Sequence, residues 1–166
     1  MKQKITTLLL LLFFCVSLNV FAQENFEETT LVKNIVSALQ NQDSKLVMES
    51  LPTKDDILYI IPMVKAGRPN ERVPEVDNIL TNFKTEASKD FNEILRKGTS
   101  FGVEWENIKL QNVRYEPHND EKITIKKGHI ILICDSNDIA FEIILRQSIR
   151  IKDKWTLMDR MRFRLL

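Results

Sequence analysis

The chain has 166 residues, with 24 Lys and Arg against 23 Asp and Glu, a formal net charge of +1 and 43% hydrophobic residues. Charge so evenly balanced gives no bulk attraction to nucleic acid or to an anionic membrane, and the length suits one domain with a core of its own. There are two cysteines, Cys15 and Cys134.

Residues 1–22 read as a cleavable signal peptide. Lys2 and Lys4 precede an apolar run from Leu8 to Val16, and Val20 and Ala22 suit the two recognition positions of signal peptidase. The run is shorter than the about 20 residues a membrane span needs. Phe13 and Phe14 stand where a lipid-attachment site at Cys15 would need small residues. The expectation is cleavage after Ala22, export to the periplasm or beyond, and a single domain over residues 23–166 with no membrane span. That domain keeps only Cys134, so no internal disulfide can form.

Apolar residues at Phe26, Leu31, Ile35 and Leu39 mark a first amphipathic helix. Asp43 or Ser44 can cap a short second one, and Thr53 a third, with Asp55 and Asp56 in its first turn. A loop rich in Gly and Pro follows. The periodic residues Val76, Ile79, Leu80, Phe83, Ala87, Phe91, Ile94 and Leu95 then predict a long helix, ended by Gly98 in the left-handed conformation.

From Val103 onward the pattern is that of strands. A three-residue loop at Lys152–Lys154 would pair Ile151/Trp155, Ile149/Leu157, Gln147/Asp159, Leu145/Met161, Ile143/Phe163 and Phe141/Leu165. A hairpin turning at residues 135–138 would pair Cys134/Ile139, Leu132/Phe141 and Ile130/Ile143. The apolar parity changes at Lys127-Gly128, where a β-bulge is expected. Helices first and strands second give an α+β domain, N-terminal helices packed on a curved antiparallel sheet.

Pro52–Asp56, Gly102–Trp105 and the terminal Trp155, Leu157 and Asp159 resemble the NTF2-like (SnoaL-like) α+β cone superfamily, nearest its small secreted bacterial proteins. That resemblance implies a cystatin-like cone whose cavity, between helices and sheet, serves enzymes in some members and binding in others. Fold alone does not choose between them.

The chemistry-bearing residues are few. Gly98–Gly102 spells G-x-S-x-G, but a helix leads into it and a strand leaves, the reverse of a hydrolase elbow. His118 and His129 are not spaced as ligands, so neither metal nor cofactor is expected. Cys134 falls on the core face as a small hydrophobe. Asp159 interrupts an apolar row with Gln147 opposite; the pair reads as ligand-binding together with Trp155, Phe83 and Phe91. As an alternative, Asp159 is the general base of an isomerase or lyase and Gln147 orients it. Arg146, Arg150, Arg160, Arg162 and Arg164 fall on the opposite sheet face, Glu142 facing Arg164, as a docking patch for an acidic partner. No aromatics interleave them, which argues against nucleic acid. The sequence therefore points to a non-enzymatic domain that binds a small apolar or amphipathic ligand, or a partner protein, with a homodimer through the sheet as a further partner.

Overall fold

A computed structural model describes residues 25–166; the expected signal peptide lies outside the described residues. Among the described residues, four α-helices, α1 (Thr30–Asn41), α2 (Lys45–Glu49), α3 (Lys54–Gly67) and α4 (Val76–Ser100), precede five strands. These are β1 (Lys109–Pro117), β2 (Lys127–Ser136), β3 (Ile139–Ile151), β4 (Lys154–Thr156) and β5 (Met161–Leu165). The sheet is open and antiparallel, in the order β1-β2-β3, with β4 and β5 sharing the far edge of β3. The fold is α+β, as the order of the sequence patterns requires.

Local chemistry sets the helix boundaries. Thr53 accepts from the Asp56 N–H at 3.2 Å, and Asp56 accepts from the Thr53 N–H at 2.9 Å, a reciprocal capping box. Asp43, not Ser44, serves the start of α2, accepting from the Lys45 N–H at 2.9 Å. The long helix runs past Gly98. It ends at Gly102, whose φ is 89°, with Val103 N–H donating to Gly98 O and Gly102 N–H to Thr99 O, both at 3.0 Å. That is a Schellman closure four residues later than expected. Gly98 instead lies under Trp105, where an added Cβ would come within 2.2 Å of the indole ring.

The main core packs Leu31, Ile35 and Leu39 of α1 and Phe91 and Ile94 of α4 against Ile130, Leu132, Phe141, Ile143 and Leu145. A smaller second core joins Ile57 and Ile60 of α3 to Ile149 and Ile151, with Ile79 and Phe83 beside them.

The registers hold in part. Leu145↔Met161, Ile143↔Phe163 and Phe141↔Leu165 pair as expected. The β2–β3 hairpin is two residues tighter: Asn137 and Asp138, at φ 49° and 65°, form the whole loop, so Cys134 faces Phe141. Both central residues being left-handed suits the strand twist, and an even shift keeps every side chain on its expected face. The loop after β3 is also two residues, Lys152-Asp153, so Arg150 faces Trp155 and Ile149 faces Thr156. This odd shift undoes the expected pairs Ile151/Trp155, Ile149/Leu157 and Gln147/Asp159. The bulge lies where parity changes, yet its extra residue is on β3: Gly128 pairs with Ser148 and Ile130 with Leu145. Gln147 is that residue, at φ 47°.

Candidate functional site

Asp159 lies in the break between β4 and β5, because those two strands pair with β3 in registers one residue apart. The mismatch is absorbed over Leu157–Arg160, where Leu157 N–H leaves the ladder to donate to Ser50 O at 3.0 Å. Asp159 is half-buried at a bend. Gln147 is exposed, and its N–H donates to His129 Nδ1 at 3.2 Å. No hydrogen bond joins Asp159 and Gln147 among the described residues. The facing carboxylate and amide expected of a general base and its orienting partner are not assembled.

The interior is filled by the residues expected to line a cavity. Phe91 and Trp155 are 2% and 3% exposed. Trp155 packs at 5.3 Å on both Phe26 and Tyr115, which stack on each other at 4.8 Å. The Lys126 ammonium lies 5.7 Å from the Trp155 ring centre. Phe83 is the exception, lining an apolar recess outside the main core. Asp159, Gln147, Trp155 and Phe91 line none of the five cavities that stand out among the described residues.

The five arginines do not act as one patch. Arg160 turns to α4, where its Nε donates to Asp90 at 2.7 Å and its other arm lies 2.6 Å from the same carboxylate. Asp90 is 2% exposed and also accepts from Met161 N–H at 2.8 Å. The carboxylate fork and the Glu86 charge push the Arg160 pKa further up, so this cation is fixed. Arg150 lies opposite Trp155 and lines a groove with Tyr59 and Met63. The placement of Arg160 and Arg150 with the others on one solvated face is thus corrected: the edge break carries one to α4, and the extra residue Gln147 reverses the alternation of β3 beyond it and turns the other away.

What remains on the outer face is ordered by the register. One row reads Arg114–Ile131–Ile144–Arg162 and the next Asn112–Ile133–Glu142–Arg164. Glu142, 2% exposed, is clasped by Arg164 and lies 3.5 Å from Arg114, so the expected Glu142–Arg164 pairing is present. Ile131 is 2% exposed yet belongs to neither core cluster. Ile133 and Ile144 are half-buried beside it. Among the described residues, Arg146 and Arg162 are in no ion pair.

Other reactive groups are accounted for. Burial, with the Asp135 charge adding, pushes the Cys134 thiol up to about 12, which leaves it protonated and unreactive at neutral pH. Ser100 donates to Lys97 O at 2.6 Å from the last turn of α4, so the G-x-S-x-G match has no elbow. Among the described residues, no group of three or more His, Cys, Asp or Glu is placed to hold a metal ion, and no helix is long and apolar enough to cross a membrane.

Asp120 ties the β1–β2 loop to the end of α3. It accepts from Lys127 at 2.9 Å and from Lys122 N–H at 3.1 Å, with Arg68 at 2.8 Å. The Lys127 hydrogen bond foremost, then the backbone donor, lower its pKa to about 2. A folded-state value below the unfolded one gives a contribution present above about pH 4 and lost as pH falls through 2. Carboxyl NMR of Asp120 should titrate near 2, and Asp120→Asn should remove the low-pH step while loosening amide protection at Gly67 and Arg68. A midpoint near 4 would mean that the contacts do not persist in solution.

Comparison with family models, with curated proteins and with solved structures returned no match for this chain.

Proposed function

We propose that the chain is an exported, non-enzymatic domain of NTF2-like type whose partner contact is made on the outer sheet face, by an acidic protein surface. The observation that carries this reading is the Ile131–Ile144 pair flanked in register by Arg114 and Arg162, next to an interior packed shut by Phe91 and Trp155. An apolar centre rimmed by arginines is the composition that protein interfaces favour. Arg146 and Arg162 supply the charge that a partner's carboxylates would neutralise. The helix order, the long α4 and the open antiparallel sheet support the NTF2-like reading.

Arg146→Glu with Arg162→Glu tests this, since neither residue is tied to a buried carboxylate. A Glu-rich peptide carrying one Phe or Leu is the probe, titrated at two salt concentrations. Binding by the native protein that falls with salt and is lost in the double variant, at nearly unchanged melting temperature, is expected. A peptide that binds both proteins equally would sink the reading. A native mass that rises with concentration, and does so only while Arg146 and Arg162 are intact, would assign the face to a second copy instead.

A further inference from the structure

A separate recess opens between α3, the 71–74 segment and α4. It encloses about 210 Å³ and is walled by Ile57, Ile60, Val73, Ile79, Phe83 and Met158. Among the described residues, the only charged groups of its lining are the exposed Glu71 and Arg72 at the rim. The Glu71 carboxylate lies 3.2 Å from Arg68, which also reaches Asp120 at 2.8 Å. Asp120 is in turn neutralised by Lys127 at 2.9 Å. Among the described residues Arg72 is in no ion pair, so the mouth of an apolar recess carries one uncompensated positive charge. We propose that this recess binds a small monocarboxylic acid, its apolar body against Ile60 and Phe83 and its carboxylate on Arg72.

Size and chemistry set the class of ligand. An apolar cavity of about 150 Å³ stays dry and admits benzene, so this recess suits one ring or a chain of roughly six to eight carbons. No charged side chain enters below the rim, so a second polar group on the ligand would be buried without a partner. A guanidinium fits a carboxylate through two parallel hydrogen bonds, which favours an acid over an alcohol of equal length. The wall can adjust. Within α3, Pro62 supplies no N–H to the helix ladder, and only Ile57 and Ile60 of that helix are buried. Leu58 and Tyr59 on its outer side remain 50% and 44% exposed. The site shares no residue with the outer sheet face, so the two proposals stand or fall separately.

Octanoate, hexanoate and hexanol are the probes, titrated into the full domain and followed by amide and methyl NMR. The acids should shift Ile60, Val73 and Phe83. Arg72→Gln should weaken octanoate about tenfold and leave hexanol unchanged. Ile79→Trp, which fills the recess, should abolish both, and its unchanged dispersion elsewhere in the spectrum would show that it folds. The proposal is overturned if octanoate does not bind, if Arg72→Gln weakens acid and alcohol alike, or if the shifts cluster at Trp155 and Asp159.

Discussion

Arg160→Ala is expected to cost about 3 kcal/mol, and Arg160→Glu more, although Arg160 is partly exposed and looks in sequence like a surface charge. The loss lies on the other partner. Asp90 is 2% exposed, and without the guanidinium its carboxylate is left buried with the Met161 N–H as its remaining donor. Stranding one member of a buried pair costs on the order of 3–5 kcal/mol, and the one backbone donor offsets a part of that. Arg160→Lys should recover little, since a single ammonium cannot span both carboxylate oxygens. For a domain of this size the fall in melting temperature should be about 10 °C. Asp90 also occupies a donor on the free edge of β5, so the same variants should expose that edge and raise aggregation. Melts that coincide with the native curve would show that the Asp90 bonds do not hold the strand.

The second large effect concerns Trp105 and Gly98. Trp105 is 3% exposed, lies edge-on to Phe141 at 5.8 Å, and its Nε1–H donates to Leu95 O at 3.2 Å and Thr99 Oγ1 at 3.1 Å. Trp105→Ala should cost about 3–5 kcal/mol through the cavity and the lost donor. Gly98 gives the sharper test because its sign reverses. Within an exposed helix, Gly→Ala gains about 1 kcal/mol of propensity. Here the new Cβ would lie 2.2 Å from the indole, and overpacking costs about 1–3 kcal/mol or more. Gly98→Ala should therefore destabilise, and Trp105→Leu should remove most of that penalty in the double variant. A Gly98→Ala protein more stable than native would place the indole elsewhere.

The fold was legible where one periodicity ran unbroken. The α4 stripe, the Thr53–Asp56 cap and the Leu145–Leu165 half of the last ladder follow from spacing alone. Legibility failed where turns set register: neither two-residue loop has a Gly, so Asn137, Asp138 and Lys152 did not announce their left-handed backbones. The Lys152-Asp153 error moved Trp155 by one residue, and with it the apparent pairing of Gln147 with Asp159. Asp90 was missed although the sequence signals it. Ala87, Asp90, Phe91 and Ile94 lie at core spacing, and a carboxylate on such a stripe requires a cation or hydrogen-bond donors to meet it. The outer row of Ile131 and Ile144 was hidden because continuous isoleucines show no alternation until the register assigns their faces.

Both proposed sites, the outer sheet face and the α3–α4 recess, lie outside the packed interior between helices and sheet. A single ¹⁵N-labelled sample, titrated separately with the Glu-rich peptide and with octanoate, distinguishes them from an interior site. The peptide should shift Arg114, Ile131, Ile144 and Arg162, and octanoate Ile60, Val73 and Phe83, with Phe91, Trp155 and Asp159 unmoved by either. Shifts centred on Trp155 and Asp159 would place binding in the interior instead.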